Sequence, residues 1–284
     1  MVDRKQHPIT STSIVRLSRF NIMLRLITIF ILLGLMTGGC QYILNEQLKR
    51  EAMKKEVVAP TPDSKKVENG ISRKYRDNGK LFNEIPMKNG KREGLAKDYY
   101  PNGVLHHEIE YKEDKKDGIA KTYYQDGVLY MESSYYDNQL HGERKIFKEN
   151  GEPSSVVSFR FNYPGKGLIE YMANGKEKKN YPEIAVKEVN RLSEENTFLL
   201  HVNFTQKSSK KAEYYVGQLI DGIFIHDGMY KLPLADDKQT GIFEIEIPPQ
   251  HEINKEFNIV GVHYTFFGNP YVAERKYRVK VKNP

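Results

Sequence analysis

Catalysis by a nucleophile or a metal needs particular side chains in fixed groupings, and this chain supplies few. His106 and His107 are neighbours in one extended run, where successive side chains point to opposite faces and cannot chelate one ion. His201, His226, His251 and His263 are scattered, and no His-x-x-x-His, cysteine pair or facial carboxylate spacing supports a metal site. Ser133-Ser134, Ser154-Ser155 and Ser208-Ser209 lack the Gly-x-Ser-x-Gly elbow that presents a nucleophile. Asp221-Gly222 to Asp227-Gly228 imitates a calcium loop without its length or terminal glutamate, and reads as two turns. Glu84, Glu108 and Glu132 beside Lys97 and Lys121 read as a cross-strand ion-pair ladder on a solvated face rather than as an acid and base. No catalytic residue, metal or cofactor is assigned, and the chain reads as a non-enzyme.

The single thiol does fit a chemistry. Cys40 follows an uninterrupted apolar run, LITIFILLGLM at 26–36, which has Arg16, Arg19 and Arg25 before it and Thr37, Gly38 and Gly39 after it. That is the order of a secretory signal, and the run is too short for a bilayer, which needs roughly 20 apolar residues. Leu35-Met36-Thr37-Gly38-Gly39 ahead of Cys40 resembles a bacterial lipobox, with Thr37 where leucine is usual. The resemblance implies that residues 1–39 are removed and that Cys40 carries a diacylglycerol. This would anchor the protein to a membrane of the bacterial cell envelope. Gln41, where an aspartate would mark inner-membrane retention, favours the outer membrane. Translation could start at Met1 or at Met23, which opens a conventional Met-Leu-Arg n-region.

A formal charge of +7 over 284 residues is of the sign that attracts nucleic acid. Most of the excess belongs to the signal: beyond residue 39 there are 39 basic and 36 acidic residues, interspersed, so no footprint for DNA or RNA remains. A hydrophobic content of 39% argues for a thin core, whereas 19 tyrosines and 13 phenylalanines argue against disorder.

The elements that carry these residues follow from periodicity. Residues 40–69 are charge-dense, contain Ala59-Pro60-Thr61-Pro62 and read as a tether, with a short helix around 45–55. Residues 70–184 then repeat. Asn78-Gly79, Asn102-Gly103, Asp126-Gly127, Asn150-Gly151 and Asn174-Gly175 stand 24 residues apart. Gly70, Gly94, Gly118 and Gly142 keep the same period, as do Tyr75, Tyr99, Tyr123, Phe147 and Tyr171. Asn-Gly between strand-like runs predicts a type I′ hairpin, with Gly79, Gly103, Gly127, Gly151 and Gly175 as structural turns at positive φ. Leu105, His107, Ile109 and Tyr111 fall on one face of the second strand and His106, Glu108 and Glu110 on the other. The Tyr75–Tyr171 series is expected to form a core ladder along one face, leaving neighbouring Tyr100 and Tyr124 exposed as a binding surface.

Gly94 to Tyr111 reads Gly-x-x-x-x-Tyr-Tyr-x-x-Gly-x-Leu-x-x-Glu-x-x-Tyr, as does Gly118 to Tyr135. This unit resembles the bacterial variant of the MORN repeat, and bacterial chains with such arrays are grouped as YwqK-type antitoxin components of toxin–antitoxin modules. The resemblance implies an array of stacked β-hairpins that binds a protein partner, with a toxin as the candidate. A toxin met in the envelope is the only kind consistent with export. The other reading is a structural or glycan-binding surface lipoprotein with the repeats as spacer.

After about Tyr181 the period stops. Runs at 196–206, 212–220, 240–247, 256–267 and 271–282 are rich in Val, Ile, Phe, Tyr and Thr. They predict an antiparallel β-sandwich-like domain over 185–284, making the chain all-β.

Overall fold

A computed structural model describes residues 67–284, which lie within one compact unit, Thr61–Pro284. The apolar run, Cys40, the expected 45–55 helix and most of the tether lie outside the described residues.

The repeats form a continuous antiparallel meander. Its strands are β1 (Gly70–Tyr75), β2 (Leu81–Lys88), β3 (Lys91–Arg92), β4 (Gly94–Tyr99), β5 (Leu105–Lys112), β6 (Lys115–Tyr123), β7 (Leu129–Tyr136), β8 (Gln139–Phe147), β9 (Pro153–Arg160), β10 (Tyr163–Pro164) and β11 (Ile169–Glu170). They lie in the order β1-β2-β4-β5-β6-β7-β8-β9-β10, with β3 also pairing with β2 and β11 with β9. Register divides the side chains between two faces. On one face Arg73, Glu84, Lys97, Glu108, Lys121, Glu132 and Lys145 stand opposite one another in turn, so charge alternates at every step. Arg73–Glu84 (2.7 Å), Lys97–Glu108 (3.6 Å) and Lys121–Glu132 (3.9 Å) are ion pairs. Each exposed pair contributes about 0.2–1 kcal/mol. The row therefore matters more for register, since a one-residue slip would send it to the opposite face. That face carries Ala96, Ile109, Ala120, Ser133, Arg144 and Val157 in sequence.

The turns correct the type I′ expectation at the Asn-Gly pairs. Gly79 N–H donates to Arg76 O and Arg76 N–H to Lys80 O, both at 2.8 Å, and the strand register breaks between Lys74 and Tyr75. This is a type I turn closed by a glycine bulge, in which only the glycine needs positive φ. Gly79, Gly103, Gly127, Gly151 and Gly175 have φ of 76°, 91°, 91°, 80° and 76°. The residue before each glycine serves through its side chain. Oδ1 of Asn78, Asn102, Asp126, Asn150 and Asn174 accepts the N–H two residues on, at 3.0–3.1 Å.

Type I′ geometry occurs instead between repeats. Asn89-Gly90, Glu113-Asp114, Asp137-Asn138 and Phe161-Asn162 have both central residues at positive φ. The second residue of three of these turns bonds reciprocally to the residue 22 positions earlier, just past the previous type I′ turn. Asn138 N–H donates to Lys116 O (2.9 Å), and Asn138 Oδ1 accepts Lys116 N–H (2.8 Å). Asp114 does the same with Arg92, and Asn162 with Leu140.

The degenerate last repeat keeps only β11 and a Tyr171–Glu177 bridge before the second part of the fold. That part consists of β12 (Ile184–Arg191), α1 (Leu192–Glu195), β13 (Thr197–Phe204), β14 (Glu213–Val216), β15 (Tyr230–Lys231), β16 (Gly241–Glu246), β17 (Glu252–Tyr264) and β18 (Pro270–Lys282). Two antiparallel sheets, β12-β13-β16 and β15-β14-β17-β18, enclose a core that includes Leu200, Val202, Tyr214, Ile259 and Val279. Each of the five predicted runs holds a strand. Edge strand β12 was not anticipated, because Lys187, Glu188, Asn190 and Arg191 are exposed and break up its apolar pattern.

From Phe257 to His263, strand β17 is buried on both faces. Val260 and Val262 turn away from the sandwich core into a cluster with Ile225, Met229 and Val272, against which Tyr163 of β10 packs. The repeat sheet is thus joined to the sandwich. Glu170 of β11, 1% exposed, accepts hydrogen bonds from Thr265 Oγ1 (2.6 Å) and Asn269 Nδ2 (2.8 Å) and pairs with Lys178 (3.3 Å). A buried carboxylate persists only when its oxygens are so occupied.

Turn geometry gives a direct test. A Cβ at Gly103 would touch nothing within 4 Å, so substitution there is opposed by backbone strain alone. Gly103→Val is expected to lower stability by about 1 kcal/mol or more in urea denaturation. Lys97→Ala should lower it by less, because it removes only an exposed ion pair.

Candidate binding surface

Tyr100 and Tyr124 are not the exposed pair anticipated from the sequence; both are 7% exposed. Simple alternation fails because the glycine bulge shifts the register at Asp98/Tyr99 and at Thr122/Tyr123, and each following tyrosine becomes the first residue of a turn. Its side chain then runs toward the next repeat. Tyr100 donates its hydroxyl proton to Tyr123 O (2.7 Å), and Tyr124 donates to Phe147 O (2.9 Å). Arg76 occupies the same place one repeat earlier and donates to Tyr99 O (2.8 Å). These residues are inter-repeat staples. Tyr100 also stacks on His106, with ring centroids 4.0 Å apart.

The tyrosines expected as the core ladder lie instead on the charged face. Tyr75 is 51% exposed, while Tyr99 and Tyr123 are half-buried and donate to Glu84 (3.3 Å) and Glu108 (2.7 Å). Burial and the bond to Glu108 push the Tyr123 hydroxyl up to about 12.

The opposite face contains the candidate surface. Across β4–β7 it has a floor of small or short side chains, Ala96, Ala120 and Ser133, with Ile109 and Met131 among them. Tyr111 and Tyr135 border it, covered by Arg92 (4.2 Å to the ring centroid) and Lys116 (5.1 Å). His107 and Asp98 approach to 3.7 Å on the other side. Within this face a depression of about 310 Å³ is floored by Ala120 and Ser133 and lined by His107, Ile109, Met131 and Tyr135. Farther along the array this face is closed, where Val157, Phe159 and Leu168 pack with Tyr181 and Tyr271. The sequence does display the residues of the open part, through the Leu105–Tyr111 alternation. Which face stays open depends on where the sandwich docks.

Three consecutive stretches, residues 68–89, 92–113 and 116–138, match the family model of the MORN repeat variant. The matched unit ends at the type I′ turn, so the meander is divided where its reciprocal rim bonds lie. The β8–β9 hairpin lies outside the match yet keeps both turns. No curated protein matches the chain. Among the described residues, no group of three or more His, Cys, Asp or Glu is placed to hold a metal ion. MORN-variant repeats support a repeat-based binding module, and the open face is where such binding has apolar area and polar borders together.

Two outcomes follow for the staples. Tyr124→Phe keeps the ring and removes one hydrogen bond to a backbone carbonyl, so urea denaturation should show a loss of about 1 kcal/mol. His106 supplies a pH dependence. Burial, then the neighbouring His107, pushes its imidazole down to about 4, whereas an unfolded histidine titrates at about 6.5. As pH falls through that window the unfolded chain binds the proton first, so stability present above about 6.5 is lost toward 4. His106→Gln should flatten the melting-temperature profile over this range.

Proposed function

We propose that this chain is a non-enzymatic lipoprotein of the bacterial cell envelope, anchored through Cys40, whose MORN-variant repeats bind a protein partner on the open face of β4–β7. The observation that carries the reading is the asymmetry of the repeat sheet. One face is occupied by the continuous Arg73–Lys145 charge ladder, and the other holds a depression floored by Ala120 and Ser133. Small floor residues let a partner's side chains approach the sheet, and flanking tyrosines are favoured anchors at interfaces. The resemblance to antitoxin components makes a toxin encountered in the envelope the partner class proposed first.

A second observation favours the glycan-binding alternative. A cleft of about 560 Å³ lies where the repeats meet the sandwich, lined by Gln139, Arg160, Phe161, Tyr163, His226 and Asp227 among others. Phe161 is 42% exposed although its φ is +50°, a conformation bulky residues avoid. An aromatic face beside several polar groups is the composition a sugar ring would use.

The reading is tested by filling the depression. Ala120→Arg should leave far-UV circular dichroism unchanged and weaken affinity capture of the native partner more than tenfold, about 1.4 kcal/mol. Ile119→Arg, on the charged face, should leave capture intact. Equal capture by both variants would remove the open face from the account, and glycan-array binding abolished by Phe161→Ala would favour the alternative. For the anchor, Cys40→Ser should shift the chain out of the detergent-extracted membrane fraction.

A further inference from the structure

At the tip of the β17–β18 hairpin stand two adjacent exposed phenylalanines, Phe266 (54%) and Phe267 (53%), with their rings edge to face at 5.5 Å. Hydrogen bonds fix the turn that presents the pair. Thr265 N–H donates to Asn269 O (3.0 Å), and Gly268 N–H donates to Thr265 O (2.8 Å) at a glycine φ of +79°. Glu170, buried in the repeat sheet, accepts from both ends of the turn through Thr265 and Asn269. The backbone of the tip is therefore held at both ends, and both rings stand exposed on it.

A second feature lies against it. The segment 205–211, Thr-Gln-Lys-Ser-Ser-Lys-Lys, contains three exposed lysines and no carboxylate. It is tied to the strand end just before the phenylalanines. Ser208 Oγ accepts Tyr264 N–H (2.7 Å), Ser209 N–H donates to Tyr264 O (2.9 Å), and Ser209 Oγ donates to Thr265 O. Lys210 lies over the Tyr264 ring, 5.2 Å from its centroid, and its ammonium would be 3.8 Å from a Cβ at Gly268, the residue after the Phe pair. The carboxylates nearest these lysines are already engaged: Glu213, two residues past the segment, pairs with Lys231 and accepts from Tyr215 and Tyr264, and Asp237, which lies within electrostatic reach of Lys207, accepts Gln239 N–H and Thr240 N–H at 2.8 Å.

From this juxtaposition we infer that the Phe266–Phe267 tip and Lys207, Lys210 and Lys211 form a contact for an anionic phospholipid surface. The rings enter the boundary between headgroups and acyl chains, and the ammonium groups meet the headgroup phosphates. Apolar side chains projecting beyond a basic rim are the arrangement that interfacial lipid binding requires, since hydrophobic insertion and attraction to anionic headgroups act together. The inference rests on neither the Cys40 anchor nor the partner proposed for the repeats.

The chain contains no tryptophan, so one introduced residue reports alone. The full-length chain carrying Phe267→Trp is mixed with phosphatidylcholine vesicles, with or without phosphatidylglycerol, containing brominated acyl chains. The same chain with Tyr230→Trp serves as reference. Tyr230 is 59% exposed and pairs with Val216, opposite Ile259, six residues down the strand from Thr265. With phosphatidylglycerol present, the Phe267→Trp emission should shift to the blue and lose at least half its intensity to the bromines, while the Tyr230→Trp emission stays as in water. Lys210→Glu with Lys211→Glu should abolish the quenching. Phe267→Trp emission that behaves like the reference in both vesicle types overturns the inference. So does equal quenching with and without phosphatidylglycerol, and so does a blue shift that needs a soluble protein instead of vesicles.

Discussion

Positive backbone φ, imposed at two turns in every 24 residues, is the constraint on which the repeat sheet depends. The glycine of each type I turn ends one strand with a bulge, and both central residues of each type I′ turn start the next repeat. Together they fix strand register, and register decides every side chain's face. The alternating charge row and the open depression are two results of that one setting. Neither would survive a slip of one residue. Side-chain hydrogen bonds then hold the rims: Arg76, Tyr100 and Tyr124 along one, Asp114, Asn138 and Asn162 along the other. A single hairpin is marginal in water, and these rim bonds let each repeat rest on its neighbour.

Much of this was legible in the sequence, because a period of this kind is carried by residues with few alternatives. Glycines at positive φ, the Glu84–Glu132 row and the alternation in β5 were all visible, as were five of the sandwich strands. The errors share one physical cause. Asn-Gly favours type I′ turns in isolation, but here an Asx hydrogen bond and a bulge use the same two residues differently. The true type I′ positions include Glu113-Asp114 and Phe161-Asn162, whose residue types signal such turns weakly. A bulge at a strand end also defeats alternation. It carried Tyr100 and Tyr124 from the expected surface to buried staples, and left the Tyr75 series on the charged face.

The joint between repeats and sandwich was not legible. Glu170 stands in a degenerate repeat, and its hydrogen-bond donors Thr265 and Asn269 lie about a hundred residues later. No local pattern connects them. Yet this buried carboxylate braces the tip that bears Phe266 and Phe267, and the same docking closes one end of the repeat face and leaves β4–β7 open. The repeats and the sandwich thereby offer separate surfaces of different chemistry: a depression bordered by tyrosines and an aromatic tip beside lysines.

The central claim, that positive-φ turns with their reciprocal rim bonds set the array, is tested most directly at Asn138. Asn138→Gly removes the bond to Lys116 N–H but keeps an easy route to φ of 68°, whereas Asn138→Ala removes the bond and adds left-handed strain. Urea denaturation of both variants should show losses of about 1 kcal/mol for glycine and roughly 2 for alanine. A glycine variant as destabilised as the alanine variant, or two variants as stable as the parent, would contradict the account.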